Sequence, residues 1–237
     1  MSTRSNSKNK VDTPRPVIVC DLGGVLIHLT VERCIAQFRE LMGQQNMQSV
    51  LGIGDDGEGI KAVSAARRQL MADFERGHIT SEQFVDSVRQ FCKPGTTPRQ
   101  IIDAWMAMLG ELPQRRLDFL ASLKQQGYPL FLLSNGNELH FNYINDTYHL
   151  DRYFDELFLS QRLHMAKPDP DIFIHVHRAI CQRYMPLASH PDFTPHVIFI
   201  DDLPANRQSA TDTVHWTSVS ALTDLCRFVS ISGNDSI

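Results

Sequence analysis

The chain has 237 residues, a formal net charge of -4, and 42% hydrophobic against 21% charged residues. These are the proportions of an ordinary soluble globular protein, long enough for one α/β domain with an insertion or for two small domains. Mild acidity would repel rather than steer a polyphosphate chain, which excludes nucleic acid as the expected partner and favours a small ligand. Cys20, Cys34, Cys92, Cys181 and Cys226 are an odd number, widely spread and never paired as C-x-x-C, so neither a disulfide framework nor a zinc site is expected.

Residues 1–16 are polar and rich in Ser, Asn and Lys, with no apolar segment of the kind a secretory signal carries. A disordered tail is the expectation for them. No stretch approaches the roughly 18 uninterrupted apolar residues of a membrane span, so the protein is expected in the cytoplasm, away from membranes, as a monomer or homodimer.

The run Val17-Ile18-Val19-Cys20 is continuously apolar and closes on Asp21-Leu22-Gly23-Gly24. Such a run reads as a central strand of a parallel sheet, with Asp21 at its carboxyl end. After Leu26 the period changes. Val31, Cys34, Ile35, Phe38, Leu41 and Met42 recur at helical spacing, and so do Val63, Ala66, Leu70, Met71 and Phe74. Thr80-Ser81-Glu82-Gln83 has the form of a capping box ahead of Phe84, Val85, Val88 and Phe91. A further helix is expected through Ile101, Ile102, Trp105, Met106 and Leu109. No strand pattern interrupts this stretch, so residues 30–109 read as an inserted all-helical cap, with Phe74 and Trp105 in its core. The Gly52–Gly57 run inside it follows no strand and opens no helix, which argues for a loop rather than a phosphate cradle.

Strands and helices alternate from Leu112 onward, the pattern of βαβ units. A helix from Pro113 ends near Gly127, and Leu130–Leu133 forms a buried strand ending in Ser134-Asn135. A weaker strand passes through Leu157–Ser160. Lys167-Pro168-Asp169-Pro170 leads into a helix with Asp169 as N-cap and Pro170 at its first position. Val197–Ile200 is a strand ending in Asp201-Asp202, and His215–Val219 is the last. The expected fold is therefore α/β: a Rossmann-like parallel core of residues 17–29 and 110–237, with the cap between.

A parallel sheet collects the tips Asp21-Leu22-Gly23, Ser134-Asn135, Lys167-Pro168 and Asp201-Asp202 at one edge. Carboxylates there suit Mg²⁺, which takes hard oxygen ligands, while a lysine, a hydroxyl and an amide suit phosphoryl oxygens. Each residue alone has a plainer explanation. Asp201 and Asp202 could cap the helix after Pro204, with Asn206 bonding locally; yet adjacent acids at a buried strand end repel, and a cation relieves that cost. His175 and His177, two apart on a helix, face different ways and read as surface. His28, close behind Asp21, is at most a substrate contact.

These four tips, in this order, resemble the haloacid dehalogenase (HAD) superfamily. The wording of the first two is most similar to its glucose-1-phosphatase-like and epoxide-hydrolase N-terminal phosphatase subgroup. The resemblance implies a Mg²⁺-dependent hydrolase of small phosphorylated metabolites, such as sugar phosphates, acting through an aspartyl-phosphate. Asp21 would be the nucleophile, Ser134 and Asn135 would bind the phosphoryl group, and Lys167 would bridge Asp21 and phosphate. Mg²⁺ would be held by Asp21, the Gly23 carbonyl and Asp202, with Asp201 a ligand or supporting partner.

Many phosphatases of that superfamily carry a second aspartate, a proton donor, where this chain has Gly23. Glycine keeps the backbone carbonyl and loses the acid. General acid catalysis contributes roughly 10²–10⁴-fold, or about 3–5 kcal/mol, so the expected enzyme is slow and favours leaving groups that need little protonation. A 2-haloacid dehalogenase-like hydrolase, a phosphonate-cleaving enzyme using Lys61 or Lys93, and a non-catalytic phosphometabolite-binding protein are the alternatives.

Overall fold

The computed structural model describes residues 15–42, 65–184 and 194–229. The expected tail up to Pro14, the Gly52–Gly57 loop, Lys61 and Val63 lie outside these residues. Five parallel strands form one sheet in the order β3-β2-β1-β4-β5: β1 Val17–Cys20, β2 Leu130–Ser134, β3 Glu156–Leu159, β4 Val197–Ile200 and β5 Thr217–Val219. β1, β2 and β4 are buried at every position. That is why they read as unbroken apolar runs rather than alternating ones. The last strand is shorter than expected: His215 closes the preceding helix in the left-handed conformation, and Trp216 packs inward before β5 begins.

The chain passes from β1 outward to β2 and β3, then returns across the sheet to β4 and β5. The reversal falls between β1 and β4. Cys20 lies opposite Ile200 in that pairing, and Asp21 N–H donates to the Ile200 carbonyl at 2.9 Å. Asp21 and Asp201, one residue past each strand, therefore emerge side by side at the switch point, where open α/β sheets bind ligands.

Between β1 and β2 the described elements are helices: α1 Val31–Met42, α2 Ala65–Glu75, α3 Ser81–Arg89, α4 Pro98–Met106 and α5 Gln114–Gln125. The first four surround a core of their own, including Phe38, Phe74, Phe84 and Trp105. Phe74 stacks on Phe84 at 4.1 Å between ring centroids. Thr80 makes the expected capping box with Gln83. A second box, Thr97 with Gln100, starts α4 at Pro98, earlier than the apolar pattern suggested. α4 consequently ends at Met106, and Leu109 belongs to the connection instead. There Leu29 and Leu109 bridge antiparallel, His28 N–H bonds the Glu111 carbonyl at 2.9 Å, and Gly110 N–H bonds the His28 carbonyl at 2.8 Å. A Cβ on Gly110 would stand 2.8 Å from that carbonyl oxygen, so only glycine lets the two connecting segments pair this closely. His28 spends its backbone here and its side chain is exposed.

On the other side of the sheet the chain continues as α6 Glu138–Tyr148, the short α7 Ser160–Leu163, α8 Pro170–Tyr184 and α9 Pro204–Val214. The helical insertion is tied to this half by Ser160 Oγ donating to the Glu75 carbonyl at 2.6 Å, and by Arg76 bonded to Asp169 at 2.7 Å. Gly77, at φ +67, brings the end of α2 so close to α7 that a Cβ would overlap the Gln161 carbonyl. The cysteines are free. Burial raises the thiol pKa of Cys20 and Cys34, and Cys226 is exposed.

Candidate active site

Lys167 is the centre of the arrangement. Its ammonium, almost wholly buried, lies 2.6 Å from Asp201 Oδ2, 2.9 Å from Asp21 Oδ1 and 2.9 Å from the Leu133 carbonyl. Burial alone would lower its pKa, but the Asp21 and Asp201 charges outweigh burial and hold it above the usual lysine range. It is a fixed cation. Asp21 Oδ1 also accepts the Leu22 N–H at 2.7 Å, so among the described residues Oδ2 is its oxygen without a protein partner. Burial pushes the Asp21 carboxyl up to about 6, with Lys167 opposing and Asp201 adding to the rise.

Asp201 is saturated by protein. Besides Lys167 it accepts the Leu203 N–H at 2.9 Å and the Asn206 amide at 3.0 and 3.1 Å. Arg207 Nη1 holds the Asp201 and Asp202 carbonyls at 2.6 and 2.8 Å. Of the two places open to Asp201 in the sequence, the supporting one matches these bonds. Asp202 is exposed, and its carboxylate crosses over Gly24, where a Cβ would overlap Oδ2. Gly24 is at φ +72, a conformation that L side chains rarely adopt.

Asn135 departs from expectation. Its side-chain amide donates to the Lys167 carbonyl at 2.7 Å and accepts the Lys167 N–H at 2.9 Å, so both ends of the amide are spent on the lysine's backbone. It positions Lys167 rather than presenting an amide to a ligand. Ser134 Oγ has only a 3.3 Å contact to the neighbouring Asn135 carbonyl, which leaves it free to turn to an incoming group.

Gly23, Ser134 and Asn135 open onto a cavity of about 400 Å³ between the helical insertion and the sheet edge. A Cβ on Gly23 would stand 3.0 Å from Leu29 Cδ1, the end of a half-exposed side chain. Leu29 thus covers the space where an acid at position 23 would start. Lys93 is exposed and His28 does not line the cavity. His177 accepts the Trp216 indole N–H at 3.2 Å, which is a packing role. Glu75, Gln161 and His140, which do line the cavity, carried no signal in the sequence. They stand on three separate helices and share no motif.

The haloacid dehalogenase-like hydrolase family model matches residues 16–206. The chain belongs to this family. D-ribitol-5-phosphate phosphatase of Bacteroides thetaiotaomicron is 25% identical over 162 residues, covering 66% of this chain and 72% of that protein. A HAD family enzyme of the same species, in complex with magnesium and inorganic phosphate, is 28% identical with a TM-score of 0.67, over 87% of this chain and 94% of its own. A predicted HAD-like hydrolase from Porphyromonas gingivalis is 26% identical with a TM-score of 0.66, over 90% and 97% of the two chains.

The site of this family member fits a divalent cation by its own chemistry. Asp21, Asp201 and Asp202 each bring an oxygen within 4.8 Å of the others, the one such acidic group among the described residues. Three carboxylates face one ammonium, so the site is short of positive charge. Asp201 is already consumed, which leaves Asp21 Oδ2 and Asp202 as the free hard oxygens. No described helix is long and apolar enough to cross a membrane.

Proposed function

We propose that the protein is a Mg²⁺-dependent phosphatase of small phosphate monoesters that acts through an aspartyl-phosphate on Asp21. The observation that carries this reading is the buried Lys167 clamped between Asp21 and Asp201. It fixes one oxygen of Asp21 and leaves the other facing the crevice as a nucleophile. In the first step Asp21 Oδ2 bonds to phosphorus and the ester oxygen leaves with its electron pair. In the second, water attacks the phosphoryl group and restores the carboxylate. Lys167 and Ser134 neutralise and orient the phosphoryl oxygens. Asp21, the Gly23 carbonyl and Asp202 would hold Mg²⁺, which supplies further charge neutralisation at the transferring group.

The Asp201, Asn206 and Asn135 contacts hold the lysine, so the attacking carboxylate is oriented before substrate arrives. The magnesium and phosphate bound by the Bacteroides HAD family enzyme, and the activity named for the ribitol-phosphate phosphatase, support the same chemistry. A dehalogenase has no need of a third carboxylate at the crevice. The test is Mg²⁺-dependent phosphate release from phenyl phosphate. Asp21→Asn should abolish it, while phosphate release that survives this substitution would remove Asp21 from the mechanism. Binding of phosphate without turnover in the unmodified protein would favour a phosphometabolite-binding role instead.

A further inference from the structure

The cavity beside Gly23 and Ser134 has walls that are mostly apolar, from Leu22, Ile27, Leu29, Met71, Met108 and Phe141. Two buried polar atoms on side chains lining it have no hydrogen-bond partner among the described residues: the Trp105 indole Nε1 and the Gln161 Oε1. Such orphans are rare and cost free energy unless a ligand or water meets them. Their polarities are opposite, since the indole can only donate and the amide oxygen can only accept. A hydroxyl answers both.

The other polar groups of the cavity add little further demand. His140 stacks on Trp105 with centroids 5.2 Å apart, and its ring nitrogens already face the Trp105 carbonyl at 3.1 Å and the Asn137 amide at 3.3 Å. Burial raises the carboxyl pKa of Glu75, favouring its neutral form, which would not repel an anionic ester.

We propose that this cavity receives the leaving group of the substrate, and that it selects a compact alcohol with an apolar body and one hydroxyl remote from the phosphate. A polyol with a hydroxyl on every carbon would bury several of them against Leu, Met and Phe without partners. The inference rests on the phosphatase reading and narrows its substrate class.

The test compares n-hexyl phosphate, 6-hydroxyhexyl phosphate and D-ribitol 5-phosphate, alcohol esters of similar leaving-group chemistry. The hydroxyhexyl ester should exceed each of the others by about tenfold or more in kcat/KM. In Gln161→Leu its advantage over the hexyl ester should collapse toward one. Trp105→Phe, which keeps an aromatic ring in the stack, should act in the same direction. A wild-type ratio within twofold, a ratio unmoved by both variants, or preference for the ribitol ester would overturn the proposal. Calorimetric binding of the matching phosphonates, which have no ester bond to hydrolyse, reads the same ranking without turnover. Absence of phosphate release from every ester would therefore sink the phosphatase reading, while the phosphonate ranking still decides what the cavity binds.

Discussion

Gly24→Ala separates the metal-binding geometry from the stability of the fold. The new Cβ would come 2.3 Å from Asp202 Oδ2 and 2.6 Å from its Cγ, whereas ordinary contact begins near 3.4 Å. The carboxylate must therefore retreat by about 1 Å, and being exposed it can do so without disturbing the core. Mg²⁺ tolerates only about 0.2 Å in its ligand distances, so a shift of that size removes Asp202 from the cation. The backbone adds a smaller effect: alanine at φ +72 costs about 1–2 kcal/mol, a loss of roughly 2–8 °C in Tm for a chain of this size. The Mg²⁺ concentration for half-maximal phosphate release should rise about 10–100-fold, and Asp202→Asn should reproduce that rise with little change in Tm. Gly95→Ala is the control, since Gly95 has φ +88 but nothing within 4 Å of its Cβ. It should show the Tm loss and leave the Mg²⁺ requirement alone. A Gly24→Ala protein with an unchanged Mg²⁺ requirement would refute the placement of Asp202 at the cation.

Gly23→Asp should fit after Leu29 swings outward, because the 3.0 Å contact is with the tip of that side chain. It should accelerate alkyl phosphates by about tenfold or more and activated aryl phosphates little; equal effects across leaving-group pKa would show that the proton comes from elsewhere. Asn135→Leu deletes the 2.7 and 2.9 Å bonds to the Lys167 backbone, with an expected loss of about 1–3 kcal/mol in stability. Because Lys167 is then less well placed, kcat should fall more than KM rises, and a pure KM effect would instead point to substrate binding by the amide. His140 is held at a pKa of about 4 by burial, with its bond to the Trp105 carbonyl opposing. Between the ordinary histidine value of about 6.5 and 4 the unfolded chain binds more protons, so stability falls as pH falls through that window. The loss is on the order of 2–3 kcal/mol. Glu75, raised by burial, works in the opposite sense, losing stability as pH rises above its unfolded value. The comparison is therefore with His140→Gln, whose Tm should fall less steeply than wild type between pH 6.5 and 4.5; parallel curves would exclude His140 as the cause.

Strand positions, the switch-point tips and the helical insertion were legible because their causes are short-ranged. An unbroken apolar run marks a strand buried on both faces, a period of 3.6 marks a helix against a core, and Thr80 with Gln83 marks a helix start. The polar residues after β1, β2 and β4 follow from the same rule, since a parallel sheet places all its carboxyl ends on one edge. What each of those polar groups does was decided by partners far away in the chain. Asn135 serves Lys167, 32 residues on, and Arg76 meets Asp169 across 93 residues.

Asp201 and Asp202 are adjacent in sequence and equal in chemistry. One is buried under Lys167, Asn206 and a backbone N–H, and the other lies open over Gly24. The sequence by itself determined that acids, a lysine and a serine would meet at one sheet edge. Only the tertiary structure decided which carboxylate remains free for a cation, that Leu29 covers Gly23, and that a hydroxyl-sized polar demand waits in an apolar cavity. Spacing encodes which face a residue occupies, but the depth of burial and the identity of the facing atom depend on how separate segments pack.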